Sequence, residues 1–290
     1  MAHFLFVASS GYESPLVPYE VVAGAAVDER DVWNLVQSIR EAEFRHFGCR
    51  PGGDGAGLNA RRLLKRKVFR LAAQVSPLAA EERRTLARHC LESGETAGRR
   101  AMTALAQAKL AYVGDVLDLA ARFRCKFIAS IVGRQAPRPA PGALRKDYAY
   151  LFERFFYLVD DLKPSPLGLV VCAERSAGER ARMAEQMERY FRGTGRGRQR
   201  ASAIVPEPLA AGGDLVAGAN LAGMVAYLTS WAFRTRELVE PARRELGPLK
   251  EQVRALRYRA VREMGDNPNF VVWGFAVVPD LRMREDRDAG

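Results

Sequence analysis

Two apolar stretches near the beginning of the chain, HFLFVASSG at residues 3–11 and VVAGAAV at residues 21–27, decide the fold class. Short apolar runs of this kind, bounded by turn residues, are typical of strands buried in a sheet. Apolar residues then recur at three- and four-residue intervals over 32–39, behind the capping candidates Asp28 and Asp31. This spacing predicts an amphipathic helix directly after the second strand.

The rest of the chain alternates between the same two patterns. Further strands are predicted at 125–132, 167–172, 203–205 and 270–278. Further helices are predicted at 64–75, 144–161, 178–191 and 215–236, with a basic helix at 242–264 and a helical insertion at about 78–122. Because strands and helices interleave and no linker divides the chain, we expect residues 1–290 to form a single α/β domain. Its last part, about 242–278, holds the basic helix and the closing strand.

Composition excludes several classes of protein. With 48% hydrophobic and 27% charged residues, the 290-residue chain can bury a large core and is not a low-complexity protein. The longest apolar stretch, 215–233, is interrupted by Asn220 and Ser230, and the first residues lack the basic start of a signal peptide. The four cysteines contain no Cys-x-x-Cys pair, which favours buried thiols over disulfides or a zinc site. We expect a soluble, cytoplasmic protein with no membrane partner.

The charge balance indicates an anionic partner. Lys and Arg number 45 and Asp and Glu number 34, so the formal net charge is +11 and nucleic acid is the first candidate. The alternative is that an arginine-rich composition, as a GC-rich genome encodes, only keeps the protein soluble. Two basic segments, a helix at 61–70 and a loop at 192–200, hold the candidate phosphate contacts Arg61, Arg62, Lys65, Arg66, Arg192, Arg196, Arg198 and Arg200. The alternative for both segments is a solvated surface.

Few residues in the chain could carry catalysis. The three histidines, His3, His46 and His89, have no candidate nucleophile beside them, and the motif Gly-x-Ser-x-Gly is absent. The sequence GTGRG at 193–197 follows a predicted helix and lacks the lysine of a phosphate-binding P-loop. Aromatic residues over 148–157 could stack on bases, but their helical spacing favours the core. We therefore expect neither a catalytic triad nor a P-loop.

Several segments, taken in order, carry a resemblance to one protein family. They are FVASSG at 6–11, GLNARRLL at 57–64, VVCAE at 170–174, IVPEP at 204–208, DL at 214–215 and NLAGMVAY at 220–227. Together they resemble the motifs of a bacterial family of ribonuclease-H-like proteins, the domain-of-unknown-function family thirty-eight hundred, and they span nearly the whole chain. The resemblance implies a ribonuclease-H-like mixed sheet flanked by helices, with the helical insertion added.

The same resemblance implies that the catalytic site has been emptied. Nucleases of this lineage bring carboxylates from the first strand, a central strand and a late helix onto two divalent metals. Apart from Glu207 in the IVPEP segment, only Glu174 and Asp214 remain acidic in these motifs, and Asn220 stands where the family has glutamine. The other acidic positions of the family correspond here to Ala8, Ser9, Gly57, Ala173 and Gly223. We therefore expect a vestigial site, with no metal or other cofactor, at Ala8, Ser9, Gly57, Ala173, Glu174, Asn220 and Gly223.

Three hypotheses about function follow from these patterns. The first is a catalytically degenerate nuclease homologue that binds nucleic acid through a basic surface and does not cut it. The second is a protein-interaction or homo-oligomeric subunit that uses the basic helix at 242–264 or the helical insertion. The third is a residual Mg²⁺- or Mn²⁺-dependent nuclease with rebuilt ligands, whose candidates are Glu13, Asp54, Glu174 and Asp214. It needs at least two of these carboxylates within about 5 Å of each other to share an ion.

Overall fold

The computed structural model describes residues 1–12, 17–51, 58–94, 97–173, 176–234 and 242–283. The strands are β1 (Ala2–Ser10), β2 (Tyr19–Asp28), β3 (Lys126–Gly133), β4 (Leu167–Ala173), β5 (Leu209–Ala211), β6 (Arg259–Met264), β7 (Asn267–Trp273) and β8 (Phe275–Val277). The helices are α1 (Glu29–Phe47), α2 (Ala60–Leu64), α3 (Arg66–Ala72), α4 (Ala80–Ser93), α5 (Arg99–Arg122), α6 (Lys146–Asp161), α7 (Ala177–Gly193), α8 (Gly195–Ala201), α9 (Val216–Ala232) and α10 (Gly247–Ala255). As the sequence predicts, Asp28 caps α1, since its side chain accepts a hydrogen bond from the backbone N–H of Arg30.

A mixed six-stranded sheet forms the centre of the fold, in the order β5-β4-β1-β2-β3-β8. β1, β2 and β3 are antiparallel neighbours, whereas β4 lies on the other side of β1 and runs parallel to it. β5 and β8 extend the two edges and run parallel to β4 and β3. Val7 on β1 lies opposite Cys172 on β4, so the ends of these two strands lie side by side. The predicted α/β class, with a mixed sheet flanked by helices, is confirmed.

Side chains that alternate along β1 pack into two cores on opposite faces of the sheet. Phe6 and Ala8 face α1, α5 and α9, whereas Leu5 and Val7 face α6 and α7. The segment Gly213–Ala232, which contains α9, is long and apolar enough to span a membrane, with a mean hydropathy of 1.3. However, 67% of its apolar window is buried within the fold, as in the core helix of a soluble protein.

The predicted helical insertion belongs to the main core. The region 78–122 contains α4 and α5, which are separated near Gly94. α5 packs on α1 and α3 and buries Tyr112, Val116 and Leu117 in the same core as α9. This region is therefore a layer of the fold and not an appendage to it.

The helix predicted at 64–75 is in fact two short helices. Lys65 separates α2 from α3 with extended backbone angles (φ −64°, ψ 149°). Leu64 and Val68 are buried as their spacing predicts, but Val75 follows the end of α3 and is 42% exposed. The interruption has a packing reason, because α2 contacts both α5 and α9 whereas α3 packs mainly on α5.

The chain end also differs from the prediction of a basic helix at 242–264 and a strand at 270–278. α10 ends at Ala255, and residues 259–264 form β6, which pairs with β7 in an antiparallel hairpin. The last predicted strand is divided between β7, which stays in the hairpin, and β8, which joins the edge of β3. Pairing of residues 259–264 with the adjacent strand β7 outweighs the local helical spacing here. The strand predicted at 203–205 is likewise wrong, because a single bridge replaces it and the edge strand β5 follows farther along.

Candidate functional site

A cavity of about 670 Å³ lies at the ends of β1 and β4. Its wall is built from the end of β1 and the turn after it, the end of β4, α2 with the start of α3, and one side of α9. We call it the β1–α9 cavity. Its volume lies within the range of about 300–1,000 Å³ that is usual for small-molecule sites.

The positions that the resemblance assigns to a vestigial site come together in this cavity. Ala8 and Ser9 from β1, Ala173 from β4, and Asn220 and Gly223 from α9 all line it. A methyl group placed on Gly223 would lie 3.9 Å from the Cβ atom of Ala8 and would meet no nearer neighbour. The first strand, a central strand and a late helix therefore converge as expected, on small side chains. The remaining two predicted positions, Gly57 and Glu174, lie outside the described residues.

The turn after β1 forms one wall and requires a glycine. Gly11 has a φ of +96°, and a side chain there would collide with the carbonyl oxygen of Tyr19. Tyr12 follows; its hydroxyl donates to the buried carboxylate of Asp147 at 3.2 Å, and the Arg145 guanidinium lies 4.7 Å from its ring centroid. Burial raises the pKa of the Tyr12 phenol, so the hydroxyl keeps the proton that it donates. These contacts hold the wall in place.

Three of the predicted phosphate contacts, Arg61, Lys65 and Arg66, line the cavity at its rim. Asn59 caps α2, because its side chain accepts a hydrogen bond from the backbone N–H of Arg61 at 2.8 Å. The extended backbone at Lys65 ends this helix at the cavity, and the next helix begins there with Arg66. Within the described part of the chain, no carboxylate forms an ion pair with Lys65 or Arg66. Arg62 is exposed on the same helix but does not line the cavity.

A buried arginine that sequence reasoning missed connects the rim to α9. Arg243 is 4% exposed and donates to the Tyr227 hydroxyl at 2.7 Å, to the Leu64 carbonyl oxygen at 2.9 Å and to Glu245 at 2.8 Å. Burial raises the pKa of the Tyr227 phenol although Arg243 lowers it, so the hydroxyl keeps its proton. Because Leu64 ends α2 and Tyr227 belongs to α9, Arg243 fixes the distance between the basic rim and this helix.

An aromatic pair forms the α9 wall of the cavity. The rings of Tyr227 and Trp231 lie one helical turn apart, with centroids 6.2 Å apart and planes inclined at 41°. The Arg243 guanidinium lies 5.7 Å from the Trp231 ring centroid. Asn220, Gly223, Tyr227 and Trp231 share one helix face, and this spacing is the sequence signal that could have indicated the aromatic pair. No comparable local signal marks Arg243, because its two buried partners, Tyr227 and Leu64, lie 16 and 179 residues away in the chain.

The other predicted basic segment lies on the opposite face of the sheet. α8 replaces the predicted loop, because the Thr194 side chain caps it by accepting a hydrogen bond from the Gly197 N–H at 2.9 Å. α8 packs on α6 and α7, and it places Arg200 in a buried ion pair with Glu153. Arg200 is not available to a phosphate, so the prediction for this residue is corrected. Of the other three, Arg192 pairs with Glu188 at 2.9 Å, and Arg196 and Arg198 are exposed away from the cavity.

The described residues do not fit the two-metal site that the resemblance implies. Ala8, Ala173 and Gly223 supply no side-chain oxygen where the family has carboxylates. Asp214 forms an ion pair with Arg40 and does not line the cavity. Across the described ranges, no group of three or more potential metal-ligating side chains occurs. The other candidate ligands, Glu13, Asp54 and Glu174, lie outside the described residues.

The described lining of the cavity supplies groups that can bind a ligand. This lining offers cations, aromatic rings, amides and hydroxyls around the small residues Ala8, Ala173 and Gly223. Neither a carboxylate nor a histidine occurs among the described lining residues. Comparisons of the chain with protein-family models, with curated proteins and with solved structures found no match. The cavity itself is therefore the basis of the functional conclusion.

Proposed function

We propose that the protein binds nucleic acid at the β1–α9 cavity without cleaving it, as a degenerate member of a ribonuclease-H-like lineage. The observation that carries this proposal is the convergence of small residues where a nuclease would hold carboxylates, next to a cationic rim. Ala8, Ala173 and Gly223 come from β1, β4 and α9, the first strand, a central strand and a late helix.

The cationic rim supports an anionic ligand. Arg61, Lys65 and Arg66 line the cavity together, and this concentration of positive charge attracts phosphate groups. Metal-binding carboxylates at Ala8 and Gly223 would repel phosphates in the absence of a cation, whereas their replacements remove that repulsion. The cavity therefore suits direct contact between protein and phosphate without a bridging metal.

Binding should depend on the rim and on salt. We expect fluorescence anisotropy with labelled DNA and RNA to show affinity that falls with rising salt. Each phosphate contact that is lost lowers the slope of log K against log salt by about 0.7–0.9. The double variant Lys65→Ala/Arg66→Ala should therefore lose about 1.4 or more from the slope, and about 20-fold in affinity near 0.1 M salt.

A matched control removes the same charge elsewhere. Arg196 and Arg198 are exposed on α8, on the opposite face of the sheet from the cavity, and Arg196→Ala/Arg198→Ala should leave the affinity within about twofold. An equal loss in both double variants would show that only net charge matters, and binding independent of salt would contradict phosphate contact altogether.

The absence of cleavage needs its own test. Labelled single- and double-stranded DNA and RNA should remain intact with Mn²⁺, as they do with a chelator. Metal-dependent cutting that Glu174→Ala abolishes would mean that the site was rebuilt around this carboxylate. That result would refute the non-cleaving part of the proposal and favour the residual nuclease.

One observation favours a second function, as an interaction or homo-oligomeric subunit. The β6–β7 hairpin exposes 55% of Val261 and 43% of Trp273, and its register places these two side chains on one face. If this face is an interface, the mass measured by light scattering should rise with concentration, and Val261→Lys should prevent the rise. A constant monomeric mass would contradict this second function, and nucleic-acid binding by the same monomer would support the first proposal.

A further inference from the structure

We infer, on the basis of the proposed function, that the β1–α9 cavity receives an unpaired base, so that the partner is a single-stranded nucleic acid. Trp231 and Tyr227 provide the stacking surface, while Lys65 and Arg66 hold the adjoining phosphates. The inference rests on the position of these groups around one concave site.

The aromatic wall is built to stay in place. Tyr227 is held through its hydroxyl by Arg243, and the backbone N–H of Arg243 donates to the Trp231 carbonyl oxygen at 3.0 Å. The Arg243 guanidinium lies near both rings, 6.0 Å from the Tyr227 centroid and 5.7 Å from the Trp231 centroid. Trp231 is only partly buried and lines the cavity, so part of its indole surface remains accessible to a ligand.

The shape of the cavity favours an unpaired base over a duplex. A volume of about 670 Å³ is enough for a base and its sugar, but a duplex keeps its bases stacked and presents only its backbone to a recessed site. A base in a duplex must leave its stack to enter such a pocket, which costs the free energy of unpairing and unstacking, whereas an unpaired base avoids most of that cost.

The combination of groups matches the chemistry of single-strand binding. Proteins that bind single strands combine a cationic groove along the backbone with aromatic rings on which bases stack. Lys65 and Arg66 at the rim and Trp231 on the wall supply both parts within one cavity. The side chains of Ser9 and Asn220 also line it, and they can donate to or accept from the edge of a base.

The tryptophan content of the chain allows a direct test. The sequence has three tryptophans, Trp33, Trp231 and Trp273, and both Trp33 and Trp273 are exposed and outside the cavity. In the variant Trp33→Phe/Trp273→Phe, all tryptophan emission comes from Trp231. We expect single-stranded oligothymidylate to quench this emission along the same titration curve that anisotropy gives. Duplex DNA of the same length should bind at least tenfold more weakly.

Substitution of Trp231 itself separates stacking from folding. Trp231→Ala should weaken binding of the single strand about 10- to 100-fold, whereas Trp231→Phe, which keeps a stacking ring, should recover most of the affinity. Equal affinity for single and double strands, with unchanged Trp231 emission, would overturn this inference and leave the proposed function intact. If no nucleic acid binds at all, the proposed function fails and the inference fails with it.

Discussion

Arg243 should stabilise the folded protein and hold the cavity wall in place. We expect Arg243→Met to lower the free energy of unfolding strongly, because methionine keeps much of the buried stem but donates no hydrogen bond. Arg244 is the matched control, since it is the next residue in the chain, carries the same charge and is exposed.

The magnitude follows from the contacts of Arg243. Two of its hydrogen bonds are buried, to the Tyr227 hydroxyl and to the Leu64 carbonyl oxygen, and bonds from a charged donor contribute about 1.5–3 kcal/mol each. The third partner, Glu245, has a side chain that is 32% exposed, so this ion pair adds little. Removing a buried charge also removes its desolvation cost, which offsets part of the loss. The net expectation is about 3 kcal/mol.

Chemical denaturation monitored by circular dichroism gives this free energy. Arg243→Met should lower it by about 3 kcal/mol, and Arg244→Met should change it by about 0.5 kcal/mol or less. The emission of Trp231 in the Trp33→Phe/Trp273→Phe background should also shift when Arg243 is replaced. A loss below about 1 kcal/mol, or an equal loss in the control, would refute the assignment of Arg243 as the residue that fixes α2 to α9.

Three further predictions concern Gly11 in the cavity wall, the buried Glu43 of α1, and the small residues Ala8 and Gly223 that line the cavity. Gly11→Ala should lower the free energy of unfolding by about 2–4 kcal/mol, because Gly11 has a positive φ and a Cβ atom there would collide with the Tyr19 carbonyl oxygen. The midpoint of chemical denaturation should fall accordingly, and an unchanged midpoint would contradict this reasoning. Burial raises the pKa of Glu43 above its ordinary value of 4.5, so ionisation of this carboxyl costs stability at neutral pH. Glu43→Gln should therefore have a higher free energy of unfolding than the native protein near pH 7, and the difference should vanish as the pH falls to about 4. The control Glu41→Gln, at an exposed position, should show no such pH dependence. Mn²⁺ should stabilise the double variant Ala8→Asp/Gly223→Asp against thermal unfolding, by about 2.7 kcal/mol when the free Mn²⁺ concentration is 100 times the dissociation constant. If Mn²⁺ has no effect on the stability of this variant, that result would argue against the inferred lineage.

The local pattern of the sequence was sufficient for the α/β class and for most of the central strands. The run at 4–7 and the run at 167–172 are apolar throughout, because both faces of β1 and β4 are covered by helices. The sequence pattern also predicted the buried side of α6, where Phe152 and Phe155 lie in the core as their spacing indicates. Burial on a regular element leaves a period in the sequence, and a period can be recognised without knowing the partner.

The resemblance found in the sequence pointed to Ala8, Ala173 and Gly223 as candidate site residues, and these three residues line one cavity. Only the tertiary structure decided which basic residues accompany them. It placed Arg66 at the cavity and buried Arg200 on the opposite face against α6. The physical reason is that an arginine has the same local appearance in either setting, because its environment depends on a carboxylate or a cavity supplied by another part of the chain.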